Sequence, residues 1–554
     1  MSMVNRKRLG DLLTESGMVT VEEVNRALNE KSQNEKLGDW LIKESIITER
    51  QLIEVLEFQL GIPHVELNRY KIDVDLIQLI PSELAKENLI IPLKKERNKL
   101  FVAMADPMDY FAIEELRMAT GCQIEPSIAA KDDLNRYVVK FYDIQNSMNE
   151  ALMDLAMNEN ESEADLTNLD SPIVRLVNQI IAGAAAQHSS DIHFDPHEDE
   201  VLVRYRVDGM MQTERSLPKH MQNIVIARLK IMGGLNITES RIPQDGRIKS
   251  VINDHTIDIR ISSLPTIYGE KIVLRIHDLN NALTDLSKLD FTDENYGLFL
   301  NMISKPNGIV LITGPTGSGK SSTLYSALHH LNEESVNILT VEDPVEYQLK
   351  GINQIQVNEE IGFTFASGLR SILRQDPDIV MLGEIRDQET AEIAIRASLT
   401  GHLVLSTLHT NSSIETVTRL IDMGIQPFLL SSSLSGIVAQ RLVRKICRDC
   451  KEGYVPDERE KALFAKEGVH YIELFRGKGC SSCNGTGYKG RMAIHEVLEV
   501  DDQLKDLITK KAGSTAIKAH AERKNTPFLV KDGLQKAADG LTTLKEVLRV
   551  TTLS

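Results

Sequence analysis

Residues 314–321 read GPTGSGKS, and the apolar run GIVLIT over 308–313 leads straight into them. A buried strand that empties into a glycine-rich turn and then a helix leaves few arrangements open. Glycines 314, 317 and 319 let the main chain turn tightly with its N–H groups aimed inward, which is how a phosphate is held. The stretch Gly314, Pro315, Thr316, Gly317, Ser318, Gly319, Lys320, Ser321 and Ser322 is therefore expected to cradle a nucleoside triphosphate. Lys320 can reach the β and γ phosphates, and Ser321 can hold Mg²⁺. Strand, loop and helix in that order require an α/β domain around them.

The chain has 554 residues, more than one hydrophobic core usually organises, so several domains are expected. Its formal charge of −17 argues against a surface that coats nucleic acid, because phosphate binding there is driven by Lys and Arg. No apolar stretch approaches the ~18–20 residues of a spanning helix, and the start, MSMVNRKRLGDLL, lacks a signal peptide's apolar segment. A cytoplasmic protein is expected, reaching the inner membrane peripherally through partners.

An internal repeat opens the chain. Arg8-Leu-Gly-Asp-Leu-Leu13 lies over Lys36-Leu-Gly-Asp-Trp-Leu41, and Thr20 and Thr48 each precede a Glu or Gln by three residues, as in a capping box. Residues 1–61 thus read as two helical hairpins. Residues 62–143 mix short β-rich runs such as Leu100–Ala103 with helical ones, a small α+β subdomain. The acidic, Asn-rich run over 144–170 reads as a linker. A helix from Ile173 to Gln187 and alternating strands (200–207, 255–261, 271–276) make 171–288 a second α+β domain. Residues 289–554 form the α/β domain with the phosphate loop.

Three further apolar runs end in polar groups. Asp378-Ile-Val-Met-Leu-Gly-Glu384 presents Glu384, the leading candidate base, with Gly383 where an Asp would ordinarily end the strand. Ile338–Glu346 presents Glu342, Asp343 and Glu346, ranked below it. Leu403–Leu408 is bracketed by His402 and His409, too far apart along a strand rising about 3.3 Å per residue to share one metal. Either could sense the γ phosphate. Phosphoryl transfer also needs positive charge, and Arg260 and Arg275 alternate with apolar neighbours on strands of the preceding domain. Cys447-Arg-Asp-Cys450 and Cys480-Ser-Ser-Cys483 suit a tetrahedral four-cysteine zinc site. Disulfides would require an oxidising compartment, and Cys122 is left over.

GPTGSGKSSTLY, VEDPVEY, LRSILRQDPDIVMLGEIRD and TGHLVLSTLHTN, in this order, resemble the secretion ATPases of type II secretion and type IV pilus assembly. The upstream runs SSDIHFDP, VRYRVDG, RIPQDGR and DIRISSLPTIYGEKIVLRI resemble that family's second N-terminal domain, so the likeness is dense over about 170–500. The resemblance implies a multidomain chain: an α/β RecA-like phosphate-loop ATPase domain, a preceding α+β domain, an N-terminal helical and α+β regulatory module, and a zinc-binding arm over about 441–495. It further implies ATP hydrolysis with Glu384 catalytic, Glu342 and the histidine box lining the site, and Arg260, Arg275, Arg370 and Arg374 meeting the nucleotide. A homo-oligomer, hexameric in form, would drive an inner-membrane platform protein. The zinc arm is similar to that of assembly and export members rather than retraction members. The repeat resembles a module that binds cyclic di-GMP through residues such as Arg8 and Gly10, although Lys36, Lys31 and Ser45 depart from its pattern. A competence pseudopilus engine, a DNA-translocating motor and a non-hydrolysing nucleotide-binding scaffold remain open as alternatives.

Overall fold

The computed structural model of the chain describes residues 9–551 except 31–36, 45, 48–51, 54, 56, 58–60, 68–69, 71, 73, 108, 139–140, 143–170, 253–254 and 279–284. Two compact units are present, one built mainly from residues up to 181 and the other from most of the chain after 182.

In the first unit, helices α1 (Leu9–Glu15), α2 (Val21–Glu30) and α3 (Leu37–Lys43) carry the repeat. Thr20 caps α2 reciprocally: its backbone N–H donates to Glu23 at 2.8 Å, and the Glu23 N–H donates to its hydroxyl at 3.3 Å. The second copy's equivalent, Thr48 and Gln51, lies outside the described residues, as does Arg8. Leu13 and Leu41, equivalent in the two copies, are both fully buried. Gly10 sits inside α1 rather than in a phosphate-admitting turn. A Cβ there would meet Val24 at 2.9 Å, and one at Gly38 would meet Leu52 at 2.7 Å, so the paired glycines serve close helix packing. Further on, strands β1 (Ile90–Glu96), β2 (Lys99–Met104) and β3 (Gln123–Ile128) form a three-stranded sheet, antiparallel then parallel. Helix α4 (Tyr110–Thr120) joins β2 to β3, capped by Asp109 and ended by Gly121 at φ 66°. The expected 144–170 linker falls outside the described residues.

The second unit holds two larger sheets. One is six-stranded and antiparallel, in the order β6-β5-β4-β9-β8-β7, from β4 (Asp191–Pro196), β5 (Glu200–Val207), β6 (Met210–Pro218), β7 (Gln244–Ile252), β8 (His255–Thr266) and β9 (Gly269–Asp278). The other has seven strands in the order β12-β11-β13-β14-β10-β15-β18. These are β10 (Gly308–Thr313), β11 (Ile338–Glu342), β12 (Asn353–Gln356), β13 (Ile379–Leu382), β14 (Leu403–Leu408), β15 (Leu434–Ile446) and the antiparallel edge strand β18 (Tyr488–Glu499).

Every residue of β10 is buried, as expected for a parallel strand covered on both faces. Ile309 and Leu311 enter one apolar core with Val341, Val380 and Val404. Val310 and Ile312 enter another with Ile338, Met381 and Leu405. The two-residue side-chain period thus builds a core on each face. Helix α5 (Lys320–Leu331) follows the phosphate loop, α6 (Phe365–Ile372) precedes β13, and α7 (Gln388–Leu399) follows it. Between β15 and β18, β16 (Lys451–Tyr454) and β17 (Leu474–Gly477) pair as a small hairpin enclosing a helix over Glu458–Lys466. The C-terminal helices α8 (Leu529–Ala538) and α9 (Leu544–Thr551) complete the unit.

Candidate nucleotide site and cysteine cluster

Parallel strands bring their carboxyl ends to one edge, where open α/β sheets build sites. Gly314 leaves β10 at φ 152°, and a Cβ on it would lie 2.6 Å from the Gln440 carbonyl, so only glycine fits between loop and β15. Gly319, at φ 89°, would likewise drive a Cβ to 2.7 Å from the Gln440 side chain. The loop is thereby seated against β15.

Lys320 turns back inside it. Its ammonium donates to the carbonyls of Gly314 at 2.8 Å and Pro315 at 3.1 Å. Burial pushes its pKa down to about 8; the nearby Glu384 carboxylate opposes that shift and Arg441 adds to it.

A cavity of about 680 Å³ opens in front of the loop. Thr316, Gly317, Gly319, Lys320, Ser321 and Ser322 line one wall. The acidic strand exit, Glu342, Asp343 and Glu346, lines another, with Glu384 and His409 beside it. Arg275, Arg206 and Asp191 come from the antiparallel sheet. The volume suits a nucleotide-sized ligand, for which roughly 300–1,000 Å³ is usual.

Glu384 is held at both oxygens. His409 Nε2 lies 2.9 Å from Oε2, and Arg386 Nε donates to Oε1 at 2.6 Å. Arg386 also reaches Asp343 at 3.5 Å. Its own strand is fixed from the side, since the Thr407 hydroxyl donates to the Gly383 carbonyl at 2.7 Å. A carboxylate on a braced turn, facing the phosphate loop, is positioned to orient or deprotonate water.

Glu342 behaves otherwise. It is 3% exposed and accepts from Thr340 at 2.5 Å, Gln354 at 3.1 Å and the Tyr325 phenol. Burial, reinforced by Glu342, holds that phenol's pKa well above its usual range. With three donors on it, Glu342 braces α5 against β11 and is no free base.

The arginines divide. Arg275 lines the cavity and its Nε lies 3.1 Å from Asp191. Arg260, its cross-strand neighbour, lies outside the lining and pairs with Glu346 at 2.7 Å. Arg370 and Arg374 are not brought to the cavity of this chain. The Thr364 cap sets α6 so that Phe365, Leu369 and Ile372 face the core; Arg370 falls on the outer side and pairs with Glu389 on α7. Arg374 donates to the Arg370 carbonyl at 2.8 Å.

His402 is also misplaced for γ-phosphate sensing. The register pairs Gly308 with Leu403 and Thr313 with Leu408, so His402 sits at the opposite edge of the sheet from the loop. Its Nδ1 lies 2.8 Å from the Ala397 carbonyl and 3.2 Å from Thr400. Residues that sequence reasoning left out are Arg386, Asp191 and Tyr325. Each lies within a motif read for other members: LGEIRD, SSDIHFDP and GKSSTLY.

The four cysteines converge. The Sγ atoms of Cys447, Cys450, Cys480 and Cys483 lie within 4.8 Å of one another, and Cys480 and Cys483 are 3.8 Å apart. Sulfurs about 2.3 Å from a tetrahedral centre would stand roughly 3.8 Å apart, so this donor set fits Zn²⁺.

A phosphate loop at the carboxyl edge of a parallel sheet, facing a braced carboxylate and flanked by arginines of an adjoining sheet, defines a phosphate-loop nucleoside triphosphatase. Residues 167–549 match the family model described as Type II/IV secretion system protein, and 60–148 match the MshEN domain. The chain belongs to the Type II/IV secretion system protein family and is an ATPase. The MshEN match falls on the small α+β subdomain, not on the repeat that carries Arg8 and Gly10. The chain is 41% identical over 558 residues to the type IV pilus assembly ATPase PilB of Myxococcus xanthus, covering 98% of both. It is 50% identical over 382 residues to the type II secretion system ATPase E of Vibrio cholerae, covering 69% of this chain and 76% of that one. Its fold is similar to that of the Legionella pneumophila ATPase DotB, with a TM-score of 0.51 at 22% identity, over 68% of this chain and 95% of that one.

Proposed function

We propose that this protein is a motor that hydrolyses ATP to power type IV pilus assembly, with type II secretion as the second reading. The placement of Glu384, held by His409 and Arg386 across the cavity from Lys320, carries the hydrolytic part. Likeness to a pilus assembly ATPase over 98% of both chains supports the first pathway, and likeness to a type II secretion relative over 91% of both chains supports the second.

Lys320 and the loop N–H groups bind and orient the phosphates, and Glu384 takes the proton of the attacking water. The Ser321 hydroxyl would help hold Mg²⁺, which would supply charge neutralisation to the phosphates. Arg275 adds positive charge from the antiparallel sheet, and Arg260 can join it by leaving Glu346. Arg370 and Arg374, outward-facing in one chain, would serve a neighbouring subunit of a hexameric ring. That ring would act in the cytoplasm on an inner-membrane platform protein; among the described residues no helix is long and apolar enough to cross a membrane. Zn²⁺ held by the four cysteines would fasten the arm between β15 and β18. Support for cyclic di-GMP binding by the N-terminal region comes from the MshEN match over residues 60–148, because Gly10 of the RLGDLL repeat is taken up by helix packing.

Phosphate release from MgATP by the purified protein tests the enzyme, and absence of turnover at every assembly state would refute it. Deleting the gene and scoring surface pili against secreted protein tests the pathway.

A further inference from the structure

Tyr325 stands on α5, the helix whose first turn carries Lys320 and Ser321. It is 1% exposed, and its phenol makes two contacts of opposite sense. The hydroxyl donates to Glu342 and accepts from the Glu346 backbone N–H at 3.2 Å. Burial, reinforced by Glu342, keeps the phenol protonated, so the two roles cannot exchange. Its ring also meets the Tyr347 ring edge-on, with centroids 4.4 Å apart. The stretch from Glu342 to Tyr347 is thereby pinned to the phosphate-loop helix through one side chain.

That stretch reaches the antiparallel sheet as well. The Glu346 carboxylate accepts from Arg260 Nη2 at 2.7 Å, and Arg260 is the cross-strand neighbour of Arg275, which lines the nucleotide cavity. Helix α5, Tyr325, Glu346 and Arg260 form a continuous run of contacts from the phosphate loop to a guanidinium one strand outside the cavity.

We infer that Tyr325 is a positioning residue for ATP hydrolysis: its hydroxyl fixes Glu346 relative to the phosphate-loop helix and so sets where Arg260 is held before it joins the phosphates. The inference rests on the ATPase reading above.

The hydroxyl, more than the ring, carries this role. A phenylalanine would fill the same space against Tyr347. Glu342 would keep two donors, Thr340 at 2.5 Å and Gln354 at 3.1 Å, whereas the Glu346 N–H would lose the Tyr325 oxygen. A run of contacts carries coupling only if changing one end alters the effect of changing the other, which a double-mutant cycle measures.

The test is that cycle in the full chain, read by phosphate release from MgATP, with MgADP affinity by calorimetry and thermal unfolding run alongside. Tyr325→Phe should lower kcat about fivefold, the worth of one net hydrogen bond, while MgADP affinity stays within about twofold. Arg260→Gln should lower kcat at least as far. Adding Tyr325→Phe to Arg260→Gln should then change kcat by less than about twofold, because no guanidinium remains to be placed. Losses that multiply in the double variant overturn the inference, since Tyr325 would act apart from Arg260. So does wild-type turnover in Tyr325→Phe, or a loss of MgADP affinity in step with kcat, which would make the residue plain support for the loop. If Tyr325→Phe fails to fold, Glu346→Gln, which keeps the size and drops the charge, must change kcat only where Arg260 is present. A wild-type chain that releases no phosphate refutes the ATPase reading instead.

Discussion

The nucleotide cavity and the cysteine cluster are both groups of polar side chains brought together by folding, but they are assembled in opposite ways. The cysteines come from two knuckles of a single excursion between β15 and β18, with each pair three residues apart. The cavity draws on residues from Ser190 to Arg491, joined through two sheets. A locally built site gives up its ligand set to spacing alone. A site built across strands depends on register, and a residue type flagged correctly can stand at the wrong end of its strand.

The sharpest way to break that contrast is to remove the chemistry of the cavity without touching its frame. Glu384→Gln should lower kcat for ATP by roughly 10²–10³-fold or more with an unchanged melting temperature, read by phosphate release and calorimetry. Near-normal turnover would move the base elsewhere. Cys447→Ser should do the reverse. It should remove one equivalent of bound zinc and expose the segment 454–475 to limited proteolysis, while changing ATP turnover at 25 °C by less than about threefold, because sites this separate act independently.

Within the cavity, the two histidines of one strand sharpen the point about register. His409→Ala should lower kcat about tenfold by freeing one oxygen of Glu384, whereas His402→Ala should stay within about twofold. Equal effects would show that the edge of the sheet does not decide function. The smallest effect is one of pH. Burial depresses the Lys320 pKa to about 8, and bound phosphates favour its charged form and raise it. Nucleotide binding then takes up a proton above that pH, so MgADP affinity should be flat with respect to this group below pH 8 and fall by up to about tenfold per unit above it. Titration calorimetry in two buffers of different ionisation enthalpy reads the proton directly.

Much of this was legible beforehand because it is local. The phosphate loop, the strands feeding it and the cysteine spacing need only a few consecutive residues. Glu384 was found because it ends an apolar run. The harder cases share one cause. Nothing in TGHLVLSTLHTN says which histidine meets the loop; that follows from the pairing of Gly308 with Leu403. Arg370 carries the same charge as Arg275, but the Thr364 cap turns it outward. Glu342 lines the cavity as the resemblance implies, but the donors that engage it, Tyr325 and Gln354, lie 17 and 12 residues away on other elements. The resemblance implies Gly10 as a ligand contact, and only the closeness of Val24 shows it to be a packing residue.

The contact between Arg260 and Glu346 is the one ion pair described here that ties the antiparallel sheet directly to the acidic strand exit. Both side chains are about a third exposed, and a pair in that setting is worth about 1 kcal/mol or less, little more than thermal energy. Asp208, between β5 and β6, also ties that sheet to β18 by accepting from the Gly490 N–H at 2.8 Å and lying 3.7 Å from Arg491, so breaking the Arg260 pair alone frees a guanidinium without parting the sheets. Swinging Arg260 away from Glu346 therefore costs almost nothing, and a bound triphosphate's charge would be enough to recruit it as a second cation beside Arg275.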